Sequence, residues 1–203
     1  THIYPGFLAL ARRAGVRLAP LACVEADALE ALCRTTRVAA LYVVPTNDNP
    51  TTATIDAETR AALAAVARRH GVRIVEDDAY GQLPENPIAP LSSFAPELGW
   101  YVASLSKTIS PALRVAHVRA PSVTDALALA AEVHDANVMA PPLEAALVTR
   151  WVEDGSYDRL IGETRAEATA RQTIAAEVLA AGRYAAHRCG YHLWVPLADG
   201  HDQ

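Results

Sequence analysis

The stretch WYVASLSKTISPALRVA, residues 100–116, changes character partway along. It begins as an apolar, β-leaning run of the length of a buried strand. It then gathers serines, a threonine, a lysine and, seven residues past that lysine, an arginine. In open α/β sheets ligands bind beyond the carboxyl ends of the strands. Hydroxyls and two cations placed just past a strand end therefore suit an anionic ligand, with arginine offering a planar fork to its oxygens.

Working outward from this stretch, the chain alternates. Helices are predicted over 5–14, 25–34 and from an Asp56 N-cap to Arg69, where the following Gly71 marks a helix end. Strands are predicted at VRLAP (16–20), VAALYVV (38–44), VRIVEDD (72–78), WYVASL (100–105) and ALRVAHVRA (112–120). Residues 46–56 and 84–96 read as loops, being rich in turn formers. Beyond Asp125 alanine-rich helices follow over 124–136, 141–153 and 156–182, and YHLWVPL closes as a strand. Strands alternating with helices imply an α/β fold, a three-layer sandwich with a mainly parallel sheet. The long helix after 156 suggests departure into a second domain, giving 1–155 and 156–203 as the two parts.

Composition narrows the classes. The chain has 203 residues, 51% hydrophobic and 20% charged, with a net charge of -5. That is a globular profile, and without a basic block the chain has no electrostatic footprint for nucleic acid. Its cysteines, Cys23, Cys33 and Cys189, are odd in number and far apart. They form neither a disulfide framework nor a zinc pattern, and a reducing cytoplasm is the simplest setting. Charges or prolines interrupt every apolar run, so no membrane span is expected. The start lacks the features of a signal peptide, and both ends read as cut.

Three strand ends carry chemistry. Asn49-Pro50-Thr51 follows the strand at 38–44, and Asp77-Asp78-Ala79-Tyr80 follows that at 72–76. Ser104, Ser106, Lys107 and Arg114 follow the strand at 100–105. Each alone has an ordinary explanation: a loop lysine is usually a solvated charge, an acid ending a strand commonly caps a turn, and Asn-Pro is a turn dipeptide. His117, His134 and His187 have no spaced partners. No G-x-S-x-G, G-x-G-x-x-G, Walker or H-E-x-x-H motif is present.

Taken together, NPT (49–51), EDDAY (76–80) and SLSKTISPALRVA (104–116) resemble the fold-type I pyridoxal-phosphate enzymes of the aspartate-aminotransferase superfamily. The nearer likeness is to class I/II aminotransferases and the aminotransferase-like domains of MocR-type regulators of the GntR family. The resemblance implies pyridoxal 5′-phosphate as cofactor and amino-group transfer between an amino acid and a 2-oxo acid through a lysine aldimine on Lys107, in a homodimer. Lys107 would also move the proton. Asp77 would hold the proton on the pyridine nitrogen. Tyr80 and Asn49 would serve the phenolic oxygen, and Ser104, Ser106 and Arg114 the phosphate. The catalytic set is thus Lys107, Asp77 and Tyr80, with Asp78 left as a structural turn residue and no metal implied.

The resemblance also implies a cis Asn49-Pro50 bond. Thr52 departs from it, because the family usually has glycine there; a threonine demands either a loop without positive φ or a strained one. Members of the family are about twice this length. The resemblance therefore implies that the phosphate loop and the ring-stacking aromatic lie upstream, and the carboxylate-binding arginine downstream. A second expectation from the same resemblance is the effector-sensing domain of a MocR-type regulator, with its winged helix preceding residue 1. RAEATARQ (165–172) and GYHLWVPL (190–197) look more like those regulators than like dedicated aminotransferases.

Overall fold

The computed structural model describes residues 3–179 and 182–196. Its main sheet runs β1 (Ala40–Val43), β2 (Arg73–Asp77), β3 (Gly99–Ser104) and β4 (Ala116–Arg119), in that spatial order. β1, β2 and β3 are parallel and β4 is antiparallel to β3, so the fold is α/β with a mainly parallel sheet. Parallel pairing places the carboxyl ends of β1, β2 and β3 along one edge.

The helices are α1 (Pro5–Arg13), α2 (Ala26–Thr35), α3 (Ala57–His70), α4 (Leu91–Phe94), α5 (Val123–Asn137), α6 (Pro142–Asp154) and α7 (Ser156–Val178). α3 starts where the sequence predicts, its first turn capped by the Asp56 carboxylate accepting the Thr59 N–H at 2.7 Å. It ends at Gly71 with φ 64°, the left-handed cap that glycine adopts without strain.

Strand alternation divides the sheet's faces. Leu41, Val43 and Ile74 turn toward α2, α3 and α4 and form the main core with Leu29, Leu63, Val66, Val72 and Leu91. On the opposite face Tyr42 of β1 stacks on Phe7 of α1, ring centroids 3.8 Å apart. A second apolar cluster joins Leu105 and Val115 to Val148 of α6, with Trp151 and Tyr157 packed around it. It pins the segment between β3 and β4 that contains Lys107.

Four expectations are corrected. The strand predicted at 112–120 is only β4, because Pro111–Leu113 form a 3-10 turn and Arg114 is left-handed at φ 53°. VRLAP (16–20) is not a strand, because among the described residues β1 pairs only with β2 and no neighbour supplies a ladder for it. The loop at 84–96 contains α4, whose first amides, Leu91 and Ser92, donate to the buried Glu76 carboxylate at 2.8 Å each. The closing strand is only β6 (Leu193–Trp194), paired with β5 (Ala185–Ala186), and residue 197 of the predicted strand lies outside the described residues. Among the described residues no helix is long and apolar enough to cross a membrane.

Candidate functional site

The register of the parallel strands sorts the predicted residues by face. Asp77 pairs with Val102, and Ser104 lies two residues further along β3, so Asp77 and Ser104 share a face. Tyr42 pairs with Val75 and lies on that face as well. Glu76 and Asp78 alternate onto the helix-covered face, and both are buried there.

Asp77 is half-buried, and its Oδ2 accepts the Tyr42 hydroxyl at 2.8 Å; Oδ1 has no protein partner among the described residues. Burial raises the Asp77 pKa while the Tyr42 hydrogen bond pulls it down. Asp78 is held differently. Tyr101 donates to its Oδ2 at 3.1 Å, and its other oxygen is buried without a partner. Burial and the neighbouring Glu76 charge push Asp78 up to about 6.

Lys107 lies in the half-buried turn after β3, with no carboxylate paired to its amine among the described residues. Nearby, Ser104 Oγ accepts the Ser106 N–H at 3.2 Å, which turns the chain at the strand end. Arg114 is exposed, with φ 53°, and among the described residues its Nη1 reaches only the Pro111 carbonyl at 3.4 Å. Asn49 is exposed too, at the tip of the loop after β1, and its bond to Pro50 is cis.

Tyr80 is buried, and its pKa is pushed up to about 12 by burial and the neighbouring Tyr191. Its ring stands 6.1 Å from Tyr191 and 6.0 Å from His192.

Tyr191 and His192 were not anticipated, and they knit the edge together. Tyr191 donates its hydroxyl to the Lys107 carbonyl at 2.9 Å, and His192 Nε2 lies 3.1 Å from the Asp48 carbonyl. The segment 190–192 thus crosses from the end of β3 to the loop after β1. A Cβ on Gly190 would stand 2.7 Å from Asn47 Nδ2, so only glycine lets the backbone come this close. Asn47 itself is fully buried, with both side-chain polar atoms lacking partners.

The loop 45–55 is also fixed from beneath. Arg60 of α3 is fully buried and donates to the carbonyls of Ile55 at 2.9 Å, Pro45 at 3.0 Å and Ala89 at 3.1 Å, and to Thr46 Oγ1 at 3.1 Å. Within the loop Thr52 takes φ 62°, the strained one of the two alternatives for that position. A β-branched residue there costs roughly 1–2 kcal/mol. Thr52→Gly is therefore expected to raise stability by up to about 1 kcal/mol after glycine's own chain-entropy loss. The check is a higher urea midpoint at unchanged slope; a lower midpoint would show that the Thr52 side chain contributes more than its backbone costs.

An amine, a carboxylate, a phenol and hydroxyls follow the ends of β2 and β3, with an amide on the loop after β1 and a guanidinium further along the chain. These are the functional groups that an anionic aromatic aldehyde would require of its site. Among the described residues the acid has an oxygen to spare and the lysine amine has no carboxylate partner. Among the described residues no group of three His, Cys, Asp or Glu side chains could hold a metal.

The family model for class I and II aminotransferases matches residues 1–182, and the chain belongs to that family. It is 28% identical over 200 residues to an HTH-type transcriptional regulator of Bacillus subtilis, YdeF, covering 97% of this chain and 43% of the relative. It is 31% identical over 187 residues to a 2-aminoadipate transaminase of Thermus thermophilus, covering 87% of this chain and 47% of that enzyme. Among solved structures it is similar to LysN, the α-aminoadipate aminotransferase of Thermus thermophilus complexed with N-(5′-phosphopyridoxyl)-L-leucine. That likeness has a TM-score of 0.84 at 28% identity, over 98% of this chain and 54% of LysN. The chain thus spans about half the length of these relatives.

Proposed function

We propose that this chain is the cofactor-binding part of a pyridoxal-phosphate-dependent aminotransferase, moving an amino group between an amino acid and a 2-oxo acid. The carrying observation is that half-buried Asp77, with Oδ1 unclaimed, shares a sheet face with Ser104, three residues ahead of the unpaired Lys107. Residues 1–155 would hold the cofactor and 156–203 would begin a second domain. The family membership and the LysN likeness support the same reading, and a cytoplasmic homodimer fits it.

Bound pyridoxal phosphate would supply an electrophilic carbon and a ring able to accept an electron pair. Asp77 would keep the proton on the ring nitrogen, its carboxylate charge making that proton harder to lose. Tyr80 would donate its proton toward the phenolic oxygen, and its raised pKa keeps it a donor at neutral pH. Asn49 would supply a second donor to that oxygen. Ser104, Ser106 and Arg114 would bind the phosphate, with Arg114 free to turn its guanidinium from the weak Pro111 contact. Lys107 would be the covalent anchor, and once released the base that takes a proton from the substrate carbon.

The test is a titration of the purified chain with pyridoxal phosphate, followed by absorbance and borohydride trapping. A near-visible band trapped on Lys107, and absent in Lys107→Ala, is expected. Labelling spread over surface lysines, unchanged in that variant, would end the proposal.

A second reading is favoured by the match to YdeF over 97% of the chain: an effector-sensing domain of a transcriptional regulator, using the same cofactor site. Amino-acid and 2-oxo-acid pairs that turn over with the full-length gene product support the enzyme. Cofactor-dependent binding of that product to its own promoter DNA without turnover supports the regulator.

A further inference from the structure

Tyr42 would sit unnoticed in a sequence, an aromatic in an apolar strand. Its ring is half-buried and stacked on Phe7, 3.8 Å between centroids and 19° between planes, so α1 fixes its direction. Register puts it on the face of Asp77, and its hydroxyl ends 2.8 Å from Asp77 Oδ2. A phenol can donate only one hydrogen bond, and this one is spent on the carboxylate.

We propose that Tyr42 is a positioning residue: it holds Asp77 by one oxygen and leaves Oδ1 directed at the ligand's ring nitrogen. The inference rests on the pyridoxal-phosphate reading. Without the hydroxyl, Asp77 would turn about its χ angles, and burial alone would govern its ionisation. Burial favours the protonated acid, which cannot hold a proton on a pyridine nitrogen. The Tyr42 bond favours the carboxylate instead. Asp77 and Asp48 in turn disfavour ionisation of Tyr42, as does burial, so the phenol stays a donor. Tyr4, just before α1, also bears on Tyr42.

The test variant is Tyr42→Phe, which keeps the ring and its stack on Phe7 and removes only the hydroxyl. In the cofactor-free protein, carboxyl-carbon NMR should show Asp77 titrating about one pH unit higher in Tyr42→Phe than in the wild type. With pyridoxal phosphate, the variant should bind about tenfold more weakly, as expected for losing one hydrogen bond to a charged group. An Asp77 titration unmoved by the substitution overturns the proposal. So does a moved titration with unchanged cofactor affinity, since Tyr42 then acts on Asp77 but not on the ligand. A wild type that takes no cofactor on Lys107 fails the functional reading itself and with it the role of Tyr42 toward the ligand. The NMR result still reports separately on the Tyr42–Asp77 bond.

Discussion

Arg60→Met is expected to lower the free energy of unfolding by about 3–5 kcal/mol, near the upper end of what one substitution does. The methionine replaces the stem but none of the donors. The carbonyls of Pro45, Ile55 and Ala89 and the hydroxyl of Thr46 all lose their charged partner. A hydrogen bond to a charged group is worth about 1.5–3 kcal/mol, and an acceptor stranded in the interior adds its desolvation cost. The guanidinium charge also offsets two buried carboxylates, Glu76 and Asp78, which the variant leaves uncompensated. Since domains are stable by about 5–15 kcal/mol, the loss takes much of the total.

The damage should be local first. Pro45 and Ile55 are the two ends of the loop containing Asn49, joined to each other by the Ile55 N–H to Pro45 carbonyl bond at 2.9 Å. Hydrogen exchange in Tyr42–Ile55 amides should rise before that of β2. Arg60→Lys, which keeps the charge but reaches fewer carbonyls, should lie between wild type and Met. A urea midpoint for Arg60→Met within about 0.5 kcal/mol of wild type, the range of an ordinary surface change, would falsify the claim that Arg60 anchors this loop.

Arg60 also marks where sequence reading stops. An arginine in the first turn of a helix is ordinarily solvated, and only the folded loops bring carbonyls around it. The same holds for α4, since residues 91–94 become a helix by docking their amides on Glu76, fifteen residues away in sequence. By contrast, the strands at 38–44, 72–78 and 100–105 were legible because a strand with at least one face in the core needs a short, mainly apolar run, whatever its partners. VRLAP, a shorter run interrupted by Arg17 and ended by Pro20, failed, because a strand exists only with a neighbour to pair with. Asn49, Asp77, Tyr80, Ser104, Ser106, Lys107 and Arg114 are proposed as site residues because they follow strands at separations that resemble a family motif. Tyr42, Asn47, Tyr191 and His192 were not legible that way. Tyr42 is placed by cross-strand register, and the other three by contacts between segment 190–192 and residues 84 or more positions earlier in the chain.

Between about pH 4 and pH 6 the protein is expected to become less stable as pH rises, the reverse of ordinary acid denaturation. The cause is Asp78, whose ordinary value of 3.8 is raised to about 6 by burial and by Glu76. Gly81 presses its backbone against the Asp78 carboxylate, and Glu76 lies two residues away on the same sheet face. In this window the folded state binds a proton that the unfolded chain has released. Stability therefore falls with pH, fully present below 3.8 and lost as pH rises through about 6. A shift of about two units corresponds to roughly 3 kcal/mol. Asp77, also raised by burial, adds to the same slope. Exposed carboxylates act oppositely: Glu30, held at about 2 by Arg69 and His70, and Asp56, lowered by the Thr59 amide, favour the fold above their ordinary range. Their contribution fades as pH falls below about 4, while His187, lowered by burial and by His192, opposes the Asp78 slope nearer pH 6, so the profile should peak near pH 4–5. Asp78→Asn should flatten the limb between pH 4 and 6 and leave the acid limb in place. Tyr101→Phe, by removing the donor that favours the Asp78 carboxylate, should move that limb to higher pH. Urea titrations at half-unit pH steps measure all three. An Asp78→Asn curve parallel to the wild type's between pH 4 and 6 would overturn the prediction, by showing that Asp78 loses its proton as readily in the fold as in the unfolded chain.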